Sequence, residues 1–213
     1  HDNSVLAGGY FQSETKLFKH KIRLLLGIRA SYFQQSGKMY YEPRASLSYS
    51  IFDRVTLKGA IGKYYQFANR VTREDILSGS KDFWLLSDGQ SVPVSSAIHY
   101  IAGVSYETNQ WIASVEAYYK EIEGLTEYSL RFNPSPQGVS YQENFYSGYG
   151  YARGLEFLLQ RQIGKLNGWV SYTIGEARNH FDVYSTDYYP ANQDVTHEFM
   201  IVSLYKLKRW DFS

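Results

Sequence analysis

Five histidines, His1, His20, His99, His180 and His197, are the residues to question first, because imidazole both ligates metals and relays protons. Their spacing fits no metal-ligand pattern, so neither a metal site nor a cofactor is expected. Asp182 lies close to His180 and Asp194 close to His197, within one long connection. A carboxylate beside an imidazole could form a hydrolytic dyad. No G-x-S-x-G turn is present to present a serine to it, and solvated loop residues explain both pairs as well. No catalytic residue is assigned. Gly148-Tyr149-Gly150 opens no helix, so it reads as flexibility at a strand start rather than as a phosphate cradle.

Ligand contact is a better use of the remaining chemistry. The stretch Phe67–Ser96 holds Asn69, Arg70, Arg73, Glu74, Asp75, Asp82, Phe83 and Trp84. A connection this long is functional or unstructured, and Phe83-Trp84-Leu85-Leu86 is too apolar for the second. Rings flanked by a few charges suit a binding site, where the rings supply area and the polar groups fix orientation. Folding back onto the rest of the chain is the plainer alternative. Glu121–Gly150, with Tyr128, Arg131, Phe132 and Tyr141, reads the same way.

Strands must position these loops. Ile22, Leu24, Leu26, Ile28, Ala30 and Tyr32 alternate with Lys21, Arg23, Gly27, Arg29 and Ser31. Tyr41, Pro43, Ala45, Leu47, Tyr49 and Ile51 alternate with Glu42, Arg44, Ser46, Ser48 and Ser50. A period of two puts one set on each face of a strand. The pattern predicts about nine strands and the start of another. They are Val5–Leu17, Lys21–Phe33, Tyr40–Ile51, Val55–Gln66, Ala97–Glu107, Trp111–Lys120, Tyr151–Arg161, Leu166–Gly175 and His197–Leu207, then Trp210 onward. Between them short turns alternate with mostly long connections, namely Gln34–Met39, Phe67–Ser96, Glu121–Gly150 and Glu176–Thr196. Antiparallel neighbours joined this way carry all tight turns at one end and all variable loops at the other, as bacterial outer-membrane barrels do.

The same order sorts the aromatics, which include 21 Tyr and 4 Trp. Tyr32, Tyr41, Tyr65, Tyr100, Tyr119 and Tyr151 fall at the loop ends of their strands, on the apolar side. Tyr49, Tyr106, Trp111, Tyr205 and Trp210 fall at the turn ends. Two aromatic girdles flanking an apolar band are what a lipid-facing surface needs, since these rings sit in lipid while their polar tips stay wet. A soluble sandwich would give its core face mid-strand Val, Ile and Leu, with no reason for rings at both ends. The expected fold is therefore all-β: antiparallel transmembrane β-barrel strands with short periplasmic turns and long extracellular loops. Leu24, Leu26, Leu47, Leu57 and Val115 are expected to face lipid, and Arg23, Arg44, Glu116 and Glu156 the lumen. Lys63 and Arg153 also fall on the lipid side, near the loop end, where long side chains snorkel. Leu25, Ile101, Ile112, Leu158, Trp169, Met200, Val202 and Leu204 point to the lumen, which suits a lumen filled by protein better than one filled by water.

Composition adds exclusions. No apolar run is long enough for a transmembrane helix. A net charge of +1 gives no reason to expect nucleic acid, and zero Cys leaves no disulfide framework. His1-Asp2-Asn3-Ser4 carries no signal peptide, and Trp210-Asp211-Phe212-Ser213 reads as a strand beginning; both lead to the expectation that residues 1–213 are a partial β-barrel domain.

Several segments carry a family resemblance. Glu42-Pro43-Arg44-Ala45-Ser46-Leu47-Ser48-Tyr49, a tight turn, and Val55-Thr56-Leu57-Lys58-Gly59-Ala60-Ile61-Gly62-Lys63-Tyr64 resemble TonB-dependent outer-membrane receptors, particularly of Bacteroidetes type. So do Ala152-Arg153-Gly154-Leu155-Glu156-Phe157-Leu158-Leu159-Gln160-Arg161 with the following Gly164–Thr173, and Tyr189-Pro190-Ala191-Asn192-Gln193-Asp194 with His197-Glu198-Phe199. The resemblance spans Leu24 to Phe212. It implies a barrel of about 22 strands plugged by an N-terminal domain. It implies import of a siderophore, vitamin, haem, glycan or peptide, driven by the TonB complex. The partners it implies are outer-membrane lipid, the protein's own plug domain, the TonB complex and a small-molecule ligand. The plug, the TonB box and the remaining strands would lie outside this sequence. A self-contained barrel of about ten strands, acting as an enzyme or adhesin, is the alternative.

Overall fold

The computed structural model describes residues 4–75, 79–128, 145–207 and 209–212. The strands are β1 (Leu6–Leu17), β2 (Ile22–Phe33), β3 (Lys38–Phe52), β4 (Val55–Gln66), β5 (Ala68–Asp75), β6 (Gly79–Leu86), β7 (Ser95–Glu107), β8 (Trp111–Tyr128), β9 (Phe145–Arg161), β10 (Leu166–His180), β11 (Tyr189–Pro190), β12 (His197–Leu207) and β13 (Trp210–Phe212). Among the described residues, 11 of them form one antiparallel sheet in the order β1-β2-β3-β4-β7-β8-β9-β10-β12-β13, with β11 pairing β10. β5 and β6 form a separate hairpin.

Register carries the alternation from strand to strand. Leu24 lies opposite Leu47, and Leu26 opposite Ala45. Leu57 lies opposite Val104, Val104 opposite Val115, Val115 opposite Phe157, Phe157 opposite Tyr172, and Tyr172 opposite Phe199. Slipping any pair by one residue would turn an apolar row onto the polar side, so the pattern itself holds the register. Arg23 opposite Ser48 and Glu116 opposite Glu156 share the other face.

The two faces differ in the reverse sense from a soluble protein. On the apolar face Leu26 is 50% exposed, Leu47 46%, Leu159 48% and Ile201 64%. On the other face Ser31, Glu42 and Ser105 are buried. These leucines of the apolar face are thus more open than these polar side chains opposite.

Pro43 explains where β3 and β4 part. The Ser50 N–H donates to Lys21 O in the β1–β2 turn, so the even-numbered amides of β3 point toward β2. Position 43 therefore points at β4, where proline has no donor to offer. The β3–β4 ladder indeed stops at Arg44–Gly62. Beyond it the Tyr65 N–H donates instead to the Glu42 carboxylate at 3.1 Å, which Arg29 also approaches at 3.4 Å.

Turn chemistry is local. Thr108 Oγ1 accepts the Trp111 N–H at 2.9 Å, closing the β7–β8 turn. Phe18, Lys19 and His20 all have positive φ in the β1–β2 turn, which is tight without a glycine.

The strands run further toward the loop end than the sequence predicts. β8 continues to Tyr128, β9 starts at Phe145 and β10 reaches His180, so much of the expected loops is sheet. Phe67–Ser96 is likewise no plain loop: it contains β5 and β6. Charged and polar residues at these ends, such as Lys120, Glu121 and Glu123, hide strand from a reading based on apolar alternation. Paired backbone needs no apolar side chain once its neighbour strand is already there.

Candidate functional site

The loop end gathers the residues available for recognition. There the β5–β6 hairpin has two faces. Arg70 lies opposite Trp84 and Thr72 opposite Asp82 on one; Asn69 lies opposite Leu85 and Val71 opposite Phe83 on the other. Arg70 pairs with the Asp82 carboxylate, Nε to Oδ2 at 3.1 Å, and Trp84 is 71% exposed beside them. Arg70, Asp82 and Trp84 thus form an open indole-and-ion-pair surface.

The second hairpin face is used for packing. Val71 is buried, and the Phe83 ring meets Tyr128 edge-on at 6.0 Å, while Tyr128 packs against Phe145 at 5.5 Å. Asn69 is buried against Ser95, whose hydroxyl donates to Gly124 O at 2.6 Å. Asn69, Phe83 and Tyr128 thus pack the hairpin against the top of β8 and β9. Arg73 belongs to β5, but its side chain lies outside the described residues, as do Arg131, Phe132 and Tyr141. Truncating Phe83 to alanine is expected to free the hairpin: limited proteolysis should cut it faster in Phe83→Ala and at the parent rate in Trp84→Ala. Equal cutting in both would place Phe83 outside the packing.

The hairpin base is closed by rings. Phe33 is buried, 4.9 Å from Phe67, and Tyr40 meets Phe67 at 5.1 Å and Tyr65 at 4.9 Å. Tyr65 therefore sits in the gap where β3 and β4 separate, packed against a residue of the opposite face. The other aromatics of the expected girdles keep the apolar face. Tyr100 and Tyr119 lie opposite each other, rings 6.3 Å apart, and Tyr151 follows at 6.1 Å from Tyr119. Tyr32, Tyr41 and Tyr49 continue the apolar rows of β2 and β3. At the turn end Tyr106, Trp111 and Tyr205 lie on the same face, with the Arg161 guanidinium 5.5 Å from the Trp111 ring.

The third loop-end group surrounds His180. Its ring stacks on Tyr149 at 4.7 Å and its Nε2 lies 2.8 Å from the Asp182 carboxylate. Nδ1 is buried with no hydrogen-bond partner among the described residues, so no nucleophile engages the imidazole there. His197 pairs with the Tyr172 hydroxyl at 2.9 Å, and Asp194 accepts the Ala177 N–H at 2.7 Å, so the second candidate dyad does not assemble. Nearby, Arg153 and Arg178 share Glu176, at 2.6 and 3.5 Å. Burial pushes the Tyr189 phenol up to about 12, and the Glu127 carboxylate adds to the shift, so it remains a neutral hydrogen-bonding group.

The opposite face of the sheet holds what the sequence pattern did not single out. Tyr118 lies across Gly154 and Gly175, which face each other on β9 and β10. A methyl group on Gly154 would stand 2.7 Å from the Tyr118 hydroxyl and 2.6 Å from Ile174 O. Glycine is needed there to keep the tyrosine flat on the wall. Only register brings these residues together, so no local signal could reveal them.

The order and pairing of these strands have counterparts among solved structures. The FrpB iron transporter from Neisseria meningitidis (F3-3 variant) aligns over 95% of this chain and 30% of its own, with a TM-score of 0.63 at 13% identity. The fold is that of a stretch of these proteins' β-barrels. The siderophore receptor PirA from Acinetobacter baumannii aligns over 94% of this chain and 33% of its own, TM-score 0.57, 14% identical. A mutant of the ferric enterobactin receptor PfeA from Pseudomonas aeruginosa aligns over 96% and 38%, TM-score 0.59, 14% identical. The chain thus spans about a third of the length of the structures it matches. No protein-family model matches the sequence, and no curated protein matches it.

Proposed function

We propose that this chain is part of the β-barrel of an outer-membrane TonB-dependent receptor, of the Bacteroidetes type that its sequence resembles, importing a scarce ligand into a Gram-negative cell. One observation carries the reading: over successive strands, the exposed face is the apolar one and aromatics flank it. That face meets lipid, and the opposite, charged face lines the lumen. Tight turns lie in the periplasm and the hairpin lies outside the cell. The fold shared with an iron transporter and siderophore receptors supports import of an iron chelate ahead of the other ligand classes. The rest of the barrel and the plug belong to the same protein, and TonB acts through the part carrying the plug. The open sheet favours this reading over a self-contained small barrel, because among the described residues β1 does not pair with β12 or β13.

Within this receptor the exposed Arg70–Asp82–Trp84 surface is the ligand contact. Indole area and a guanidinium suit an anionic, partly apolar chelate. Removing Trp84 and Arg70 together is expected to lower uptake at unchanged receptor abundance, read as growth on the limiting nutrient against immunoblotted receptor. Unchanged growth at unchanged abundance would leave the hairpin a structural role only.

A further inference from the structure

We infer that the lipid face of this chain holds one anionic phospholipid of the periplasmic leaflet: a hollow over Ala113 takes an acyl chain, and Arg161 takes the phosphate. The inference rests on the receptor-barrel reading above, which turns this face to lipid and the tight turns to the periplasm.

The hollow comes from a small residue set between large ones. Ala113 on β8 lies opposite Tyr106 on β7 and Leu159 on β9. One step up the same face, Val115 lies opposite Val104 and Phe157. These six border a hollow of about 380 Å³, which continues over Val170 and Tyr172 on β10. Ligand pockets span roughly 300–1,000 Å³, so the space suits a ligand of modest size. On a flat apolar wall an acyl chain touches protein on one side only. In a hollow it gains contacts along its flanks as well, and dispersion holds it in one place.

A cation stands at the turn end of the hollow. Arg161 follows Leu159 on the same face of β9 and lies opposite Trp111. At a rise of about 3.4 Å per residue, it sits about 7 Å below Leu159 and about 14 Å below Phe157. A lipid with its chain in the hollow and its phosphate at Arg161 is therefore oriented as the periplasmic leaflet requires. The guanidinium is held in place: Nε donates to Ile163 O at 3.3 Å, and the Trp111 ring lies 5.5 Å away. A methyl group on Gly164 would stand 3.1 Å from one of its terminal nitrogens, so the turn closes against it. Among the described residues Arg161 forms no ion pair. The adjoining turns, Thr108-Asn109-Gln110 and Gln162-Ile163-Gly164-Lys165, carry no carboxylate, and Lys165 adds a second cation. A positioned guanidinium with free N–H groups is matched to a phosphate. At the loop end of the same face Arg153 already has a carboxylate, Glu176 at 2.6 Å, which points to the turn end as the anion site.

Native mass spectrometry of the full-length receptor in detergent, titrated with phosphatidylglycerol, reads the site. Arg161→Gln removes the cation, and Ala113→Leu fills the hollow. The parent is expected to retain one phosphatidylglycerol about tenfold more tightly than either variant, the scale of one charge-assisted contact. It should also retain that lipid more tightly than phosphatidylcholine, whose headgroup carries no net charge. Ala113→Val takes the place of Ala113→Leu if the larger residue gives no heat-modifiable band. Parent-like retention in either variant, or equal retention of the two lipids by the parent, would overturn the site. Recovery of the parent from the water-soluble fraction of cells would instead overturn the receptor-barrel reading beneath it.

Discussion

Replacing Leu47 by arginine in the full-length protein is expected to block barrel assembly, while arginine at the neighbouring Ser46 is tolerated. The two residues are adjacent on β3 and lie at the same height, so only the face differs. Leu47 lies opposite Leu24 and Gly59 in the apolar band; Ser46 lies opposite Leu25 and Ala60 on the other side. A guanidinium on the lipid side near the bilayer centre costs about 2–4 kcal/mol. At about 1.4 kcal/mol per tenfold, that lowers the folding equilibrium by roughly 30- to several-hundred-fold. On the lumen side the same group meets water or polar protein. The readout is the heat-modifiable band in outer-membrane extracts. Equal loss in both variants would mean that the faces are misassigned.

The second large effect concerns the 213-residue chain by itself, which is expected not to form a stable monomeric barrel. Among the described residues β1 pairs only with β2, and β12 pairs with β13 only from Tyr205 to Leu207. The free edges carry unpaired N–H and C=O groups, and in lipid each such group costs several kcal/mol. A handful of them outweighs the roughly 5–15 kcal/mol by which folded domains are stable. Refolding the chain in detergent and running it unheated on a gel should show no compact, protease-resistant band. Such a band would favour the self-contained barrel.

How much of this was legible in sequence follows from what sets each feature. The apolar rows of β2, β3 and β4 were legible because a period of two puts all their apolar side chains on one face of each strand. The upper halves of β8, β9 and β10 were not, since above the band Glu121, Glu123 and Arg178 carry no such constraint. Tyr65 alternates correctly, and its contact with Tyr40 was not legible, because it depends on the β3–β4 ladder ending beside Pro43. At the loop end Arg70 and Trp84, singled out by residue type, lie exposed on one face of the hairpin. Asn69 and Phe83 share that type but pack inward, since hairpin facing depends on the β5–β6 register, which the sequence did not announce.

The most direct measurement is a spin-label scan along β3 and β4 of the full-length protein in bilayers. Labels would replace Leu47, Tyr49, Leu57 and Ile61 on one face and Ser46, Ser48, Lys58 and Ala60 on the other. Collision with oxygen, which concentrates in lipid, is compared with collision with a water-soluble nickel chelate. The expected result is strict alternation, with oxygen dominating at Leu47, Leu57 and Ile61 and nickel at Ser46, Ser48 and Lys58. Nickel access on both faces, or oxygen dominance at the serines, would contradict a lipid-facing apolar band.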